Sequence, residues 1–426
     1  MQWAWHRLPA CAGEIVISAS ASDRLHTAPP LRKTWVCGVI NAILVIILVI
    51  AALVHLVLFA GMSPDAAAVF FRALALSTLL SVVPIAILRF LDRRERESPW
   101  LLAAAFLWGG CIATGLSVPF NTAFYLVVDR WIAANPVVTE VLGPDAALLI
   151  AAPLSAPIIE ELTKALGVAL IFWLLRDEFD GMRDGFVYGA LVGVGFNWFE
   201  GPLYVMQGYV RDGVAPYSLQ LGVRYGLLGL GGHAMFTGMF GLFLGLAAQT
   251  SRTWLRVLAP ILGLSLAIAA HLLNNTLPLL SALAAAAEDQ PPAIEIEREA
   301  MHHTGFLEAM VGGAALQLTI FLPFTLIVVI ALWFSGAWER RVIREELASE
   351  VGGPVSPDEY RTILNDGLLR TRRIDALNPQ RSAALVNAQH ELAFRKRRVK
   401  ELGQNPEQDP LVLAWRSDIA RLRAGA

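Results

Sequence analysis

Apolar residues run along this chain in long blocks separated by short polar stretches. Crossing about 30 Å of hydrocarbon at about 1.5 Å per residue takes roughly 20 residues of helix. Eight blocks reach that length: 36–60, 70–91, 100–120, 147–175, 185–207, 226–249, 257–283 and 307–335. They predict an all-α fold, a polytopic membrane helix bundle of about eight transmembrane helices over residues 36–336. The fourth block is longer than a straight span needs and contains Pro153 and Pro157. Proline removes a helix hydrogen bond, so a break is expected near Ser155-Ala156-Pro157. That would set Glu160 and Glu161 in the first turn of an inner half-helix.

Composition agrees with the block pattern and excludes a soluble fold. Of 426 residues, 56% are hydrophobic and 16% charged, with mean hydropathy +0.54, against about 25% charged in soluble domains. The 34 basic and 36 acidic residues leave a net charge of −2, so no overall bias points to nucleic acid. Distribution says more than the sum. Arg32 and Lys33, then Arg89, Arg93, Arg94 and Arg96, then Arg176 and Arg183, then Arg252 and Arg256 flank alternate ends of the blocks. By the positive-inside rule these ends are cytoplasmic, which predicts a multi-pass cell-membrane protein with both termini inside. The last outer loop is acidic instead, with Glu288, Asp289, Glu295, Glu297 and Glu299.

Flanking the bundle are two segments of different character. Residues 1–35 lack the apolar core of a signal peptide and are expected to be a loose tail. Residues 337–426 hold 16 of the basic residues and are expected to form a helical cytoplasmic tail. Ser356-Pro357-Asp358-Glu359 carries a capping box with proline at the first helical position. Asn378-Pro379 and Asp409-Pro410 repeat the cap-then-proline signal, and Gly367 and Gly403 fall where helices would stop. Arg395, Lys396, Arg397, Arg398 and Lys400 read as a solvated helix face. Cys11, Cys37 and Cys111 are far apart with no C-x-x-C pair, which argues against a cysteine zinc site.

Ionisable residues inside spans are costly and mark functional or paired sites. Glu160, Glu161 and Lys164 fall in the fourth span, with Lys164 three and four residues beyond the two carboxylates, within helical reach of either. The fifth span has Phe196, Glu200 and Tyr204, the sixth His233, and the seventh His271 with Asn275 one turn on. Counted from the cytoplasmic ends, Glu160, Glu200, His233 and His271 all lie on the order of 21–24 Å deep. Two carboxylates and two imidazoles at one level suit hydrolysis of a peptide bond, which needs an activated water, a base, a proton donor and an oxyanion partner. Glu200, His233 and His271 would also make a zinc shell, leaving a second glutamate as base. A metal-free glutamate mechanism fits the same residues, so the cofactor is zinc or none. Neighbours on a helix point about 100° apart, so one of Glu160 and Glu161 is expected to be the base and the other to orient it or bind Lys164, and Glu160 is the expected base.

These residues resemble a known family. E-E-x-x-K at Glu160, Glu161 and Lys164, F-x-x-x-E-x-x-x-Y at Phe196, Glu200 and Tyr204, the separate His233 and His271, and Asp184-Gly185-Phe186-Val187-Tyr188-Gly189 leading through Gly193 and Gly195 are similar to the PrsW intramembrane proteases. The match covers residues 147–280, and the protease core is placed at 147–283. The resemblance implies site-1-type cleavage of a membrane-anchored protein such as an anti-sigma factor, within a superfamily that includes the CAAX-processing and bacteriocin-immunity proteases. One position departs: the family often has H-x-x-x-D where this chain has His271 and Asn275.

Catalytic roles are therefore expected for Glu160, Glu161, Glu200, His233 and His271, with Lys164, Phe196, Tyr204 and Asn275 in support. Phe196, Trp198 and Tyr204 are expected to pack, His302 and His303 to form a surface pair, and His55 to be structural. Two other functions would use lined-up polar residues: a proton- or ion-coupled transporter, and an inactive membrane scaffold. Transport predicts an inverted repeat, whereas each motif here occurs once.

Overall fold

The computed structural model describes residues 34–94, 97–174, 179, 181–250, 252–287, 304–365 and 379–424. The N-terminal tail to Lys33 with Cys11, then Arg96, Arg176, the acidic loop with His302 and His303, and Gly367 and Asn378 lie outside the described residues. Regular structure among those described is helical: α1 Thr34–Ala60, α2 Pro64–Leu91, α3 Pro99–Ala133, α4 Pro136–Leu142, α5 Ala146–Leu174, α6 Met182–Asp212 and α7 Tyr217–Tyr225. There follow α8 His233–Gln249, α9 Thr253–Ala287, α10 Phe306–Thr319, α11 Leu322–Ala348, α12 Pro357–Leu364, α13 Pro379–Glu401 and α14 Pro410–Ala424. Among the described residues α1, α2, α3, α5, α9 and α11 are long and apolar enough to cross a membrane. The chain is an all-α, multi-pass membrane protein.

Three expected spans take other forms. Residues 185–207 lie within α6, which is 31 residues long but more polar, and it is surrounded by neighbouring helices on nearly every face. The block 226–249 holds a 17-residue helix that starts only at His233, because Gly229 and Gly232 take left-handed backbone angles ahead of it. The block 307–335 is interrupted between α10 and α11. Pro323 has no N–H to offer the residue 319 carbonyl, so the first helix cannot run on.

The expected break in the fourth span is absent: α5 runs unbroken from Ala146 to Leu174 with Pro153 and Pro157 inside it. Proline within a membrane helix is tolerated where neighbouring helices surround it, and Pro153 and Pro157 are both packed inside the bundle. Glu160 and Glu161 thus sit mid-helix. The third span also extends past its expected end at 120, through a π-helical turn at Trp108–Ala113, to Ala133.

Internal packing divides the chain into two compact units, one of Trp35–Phe90 with Pro99–Val329, the other including Leu91–Ser98 with Ile330–Ala426. In the first, α6 is the central helix. Gly185, Gly189 and Gly193 line one edge of it, and a Cβ at these positions would lie 2.0 Å from the Gly241 carbonyl oxygen, 2.4 Å from that of Thr237 and 2.1 Å from that of His233. Such small residues four apart let α8 approach backbone to backbone. On its other side Gly195 meets Phe106, and Gly109 in the π-helical turn meets Val192, equally closely.

The second unit has its own core of Val342, Ile343, Leu347, Leu385, Leu392, Phe394, Val412, Trp415 and Ile419. Its helix starts follow the capping signals. Ser356 Oγ accepts from the Glu359 amide at 3.2 Å while Glu359 returns the bond to Ser356 N at 2.7 Å. Asp409 Oδ1 accepts from the Leu411 and Val412 amides, each at 3.0 Å. The basic run on α13 is not simply a solvated face. Lys396 is buried against Glu350 and the Glu346 carbonyl, and Arg395 forms a two-bond pair with Asp409.

Candidate active site

Four helices bring the polar residues of the spans together: α5 supplies Glu160, Glu161 and Lys164, α6 Glu200, α8 His233, and α9 His271. Helical spacing puts Lys164 Nζ 2.6 Å from Glu161 Oε1 and 3.7 Å from Glu160 Oε2. Glycine at 193 allows His233, the first residue of α8, to enter between α5 and α6. Its Nδ1 lies 2.9 Å from Lys164 Nζ and its Nε2 2.9 Å from Glu200 Oε2. The two imidazoles meet edge to face with ring centres 4.9 Å apart.

The two neighbouring glutamates have different environments. Glu161 is saturated: Lys164 and His271 Nδ1 converge on Oε1, the latter at 3.0 Å, and Thr237 Oγ1 donates to Oε2 at 2.9 Å. Glu160 receives one hydrogen bond, from Asn121 Nδ2 to Oε1 at 3.0 Å. Its Oε2 is buried without a hydrogen-bond partner and faces His271 Nε2 at 3.8 Å. Because His271 Nδ1–H donates to Glu161, Nε2 presents a lone pair toward that oxygen. A buried carboxylate oxygen and an imidazole lone pair thus face each other across 3.8 Å, with the Lys164 Nζ 3.7 Å from the same oxygen.

Exposure falls across the cluster. Lys164, Glu161 and His271 have side chains 0–2% exposed, whereas Glu200 and His233 are 12–13% exposed and Arg224 on α7 is 21% exposed. The cluster is therefore reached from the Glu200 side. There Arg224 Nη2 lies 3.8 Å from Glu200 Oε2, and its guanidinium stacks 4.6 Å over the Tyr204 ring. Phe196 faces inward, with Lys164 Nζ 4.1 Å over its ring and the His233 ring tilted against it at 4.9 Å between centres. The expected packing role of Phe196 and Tyr204 thus takes the form of cation–π contacts.

Glu160, His233 and His271 can each turn one ligand atom inward, all within 4.8 Å of one another. The sequence had suggested Glu200 as the carboxylate beside the two histidines; here Glu160 occupies that position, and Glu200 is engaged by His233 Nε2. The donor set fits a divalent cation. Two ligands about 2.1 Å from a tetrahedral zinc lie about 3.4 Å apart, close to the 3.8 Å between Glu160 Oε2 and His271 Nε2. Asn275, expected as a neutral donor beside His271, is directed elsewhere, to the Ala152 carbonyl and the Asn274 amide.

Four contributors escaped sequence reasoning: Asn121, Ser155, Thr237 and Arg224. Ser117 and Asn121 are one turn apart, a spacing that signals a polar helix face, but the third apolar block stops at 120, just before Asn121. Arg224 falls outside the blocks, just ahead of 226–249, and Thr237 and Ser155 are neutral residues in apolar runs. His55, expected to be structural, donates from Nδ1–H to the Ala51 carbonyl oxygen at 2.7 Å and packs edge-on to Phe199.

Residues 97–293 match the protein family described as PrsW family intramembrane metalloprotease. This interval extends the motif-bearing region upstream to take in α3 and Asn121. The chain is also similar to a curated protein named Protease PrsW from Geobacillus kaustophilus (strain HTA426), at 34% identity over 156 residues, which are 37% of this chain and 58% of that protein. The chain thus matches just under three fifths of that relative's length. No solved structure matches.

Proposed function

We propose, from the match of residues 97–293 to the PrsW family of intramembrane metalloproteases and the similarity to a curated Protease PrsW, that this chain hydrolyses a peptide bond of a membrane-anchored protein, with Glu160, His233 and His271 holding a divalent cation. The observation that carries this is the partnerless, buried Glu160 Oε2 facing His271 Nε2. When bound there, zinc would polarise the scissile carbonyl and ease ionisation of water. Glu200, the more exposed carboxylate, serves as base: it takes a proton from water as the water oxygen bonds to the carbonyl carbon. The C–N bond then breaks, and the same proton passes from Glu200 to the departing nitrogen. Glu161 holds His271 through Nδ1–H and keeps Nε2 as an acceptor. Lys164 balances the carboxylates, and the apolar helices limit bulk water.

A second mechanism has its own support. Both His233 nitrogens are engaged, by Lys164 and Glu200, so metal binding requires Lys164 Nζ to withdraw from Nδ1. In a metal-free mechanism Glu160 Oε2 is the base and His233 and His271 serve the oxyanion and leaving group. Metal analysis of the purified chain, with activity measured before and after chelation, separates the two. About one zinc per chain, activity lost on chelation and restored by zinc is the expected result. Full cleavage by metal-depleted protein would select the glutamate mechanism instead.

The substrate implied by the family resemblance is a membrane-anchored protein such as an anti-sigma factor. Both termini are proposed to be cytoplasmic, with the scissile bond in the outer half of the bilayer. Solute uptake into proteoliposomes without any proteolysis would favour transport, and absence of both activities would favour a scaffold.

A further inference from the structure

We infer that Asn121 is a positioning residue for the Glu160 carboxylate, fixing which oxygen is left open to a divalent cation. The inference rests on the metal-binding set proposed above. α3 passes α5 along a polar edge, where Ser117 Oγ and Thr163 Oγ1 lie 2.8 Å apart. One turn further along α3, Asn121 Nδ2 donates to Glu160 Oε1 at 3.0 Å. Ser155 Oγ, on α5 itself, donates to Asn121 Oδ1 at 2.5 Å. A carboxylate can only accept, so the NH2 group is the end of the amide turned to Glu160, and Oδ1 is left to accept from the Ser155 hydroxyl.

The arrangement is one-sided. Oε1 is held, while Oε2 is buried, has no hydrogen-bond partner, and stands 3.8 Å from His271 Nε2 and 3.7 Å from Lys164 Nζ. Without the amide, rotation about the last side-chain torsion would let either oxygen swing toward Lys164. The chemistry of the holder also matters. An arginine or lysine would fix the carboxylate by neutralising it and weaken its attraction for a cation, whereas an amide orients it without adding charge. Hydrogen-bond partners of metal ligands typically contribute 10–100-fold to metal affinity.

The test is cobalt(II) and zinc(II) binding to the full chain purified in detergent, read by the cobalt absorption bands and by competition with zinc. Variants Asn121→Leu, Ser155→Ala and Glu160→Gln are compared. Leucine keeps the branched shape and heavy-atom count of asparagine and suits a membrane helix. The expected result is loss of binding in E160Q, roughly 10–100-fold weaker binding with altered cobalt bands in N121L, and a smaller change in the same direction in S155A. Lost binding in E160Q with wild-type affinity and spectrum in N121L would overturn the role of Asn121 while leaving the metal set standing. Wild-type binding in E160Q would overturn the metal set and the inference together. If N121L fails to fold by helix content and gel filtration, S155A decides alone: threefold or greater weakening upholds the inference, and unchanged affinity overturns it.

Discussion

Gly193→Ala tests how the backbone of α6 sets the position of His233. A Cβ at 193 would stand 2.1 Å from the His233 carbonyl oxygen, 2.4 Å from its carbon and 2.7 Å from the Ala234 Cα. All three are backbone atoms, so no side chain can turn away. Ordinary contact at about 3.4 Å requires the start of α8 to move by about 1.3 Å relative to α6. The His233 contacts to Lys164 and Glu200, both 2.9 Å, would then stretch past hydrogen-bond reach. Displacements of about 1 Å in a catalytic group can cost on the order of 10²-fold in rate, and overpacking costs about 1–3 kcal/mol of stability. The assay is the initial rate of cleavage of quenched-fluorescent transmembrane peptides in proteoliposomes, with helix content as a check on folding. Gly312→Ala on α10 is the control, since nothing lies within 4 Å of its added methyl. A folded G193A protein with a rate within threefold of wild type would refute the claim that this close approach positions His233.

Three further outcomes follow from other parts of the molecule. Lys164→Met should lower stability by about 3–5 kcal/mol, because it leaves buried carboxylates without their cation, and adding Glu161→Gln should recover much of the loss in thermal unfolding. His390 in α13 is held at about 4 chiefly by burial, with the Arg94 guanidinium adding to the effect against the bond His390 makes to the Arg94 carbonyl. An unfolded histidine titrates near 6.5. Between these values the unfolded chain binds a proton that the folded chain refuses, so this contribution is complete above about pH 6.5 and falls as pH drops toward 4, by up to about 3 kcal/mol. Hydrogen exchange of α13 amides, corrected for intrinsic rates, should show that slope in wild type and lose it in His390→Leu. Ser356→Ala should cost the second unit about 1 kcal/mol through the lost cap, measured as reduced amide protection in α12.

The long apolar runs, the multi-pass helical class and the convergence of α5, α6, α8 and α9 were legible because ionisable residues in hydrocarbon are rare and costly. Their depth could be counted along each helix from charged flanks. Local stop signals were harder. Pro323 and the glycines before His233 divided runs that hydropathy alone joins, while α5 runs on through Pro153 and Pro157, both buried among neighbouring helices. Which glutamate is free could not be read from spacing, since Lys164 reaches both. The difference arises from Thr237, His271 and Asn121 on other helices. Neutral residues such as Asn121 and Ser155 carry little signal in an apolar sequence and acquire meaning only beside Glu160.

The central claim, that Glu160 belongs to a peptide-hydrolysing centre within the membrane unit, is tested most directly by one comparison. Wild-type protein and Glu160→Gln are reconstituted at equal density with the quenched transmembrane peptides, and product is identified by mass. Cleavage at a defined bond by wild type, with at least about 10²-fold less by the folded E160Q protein, is the predicted result. Equal cleavage by the two proteins would contradict the account.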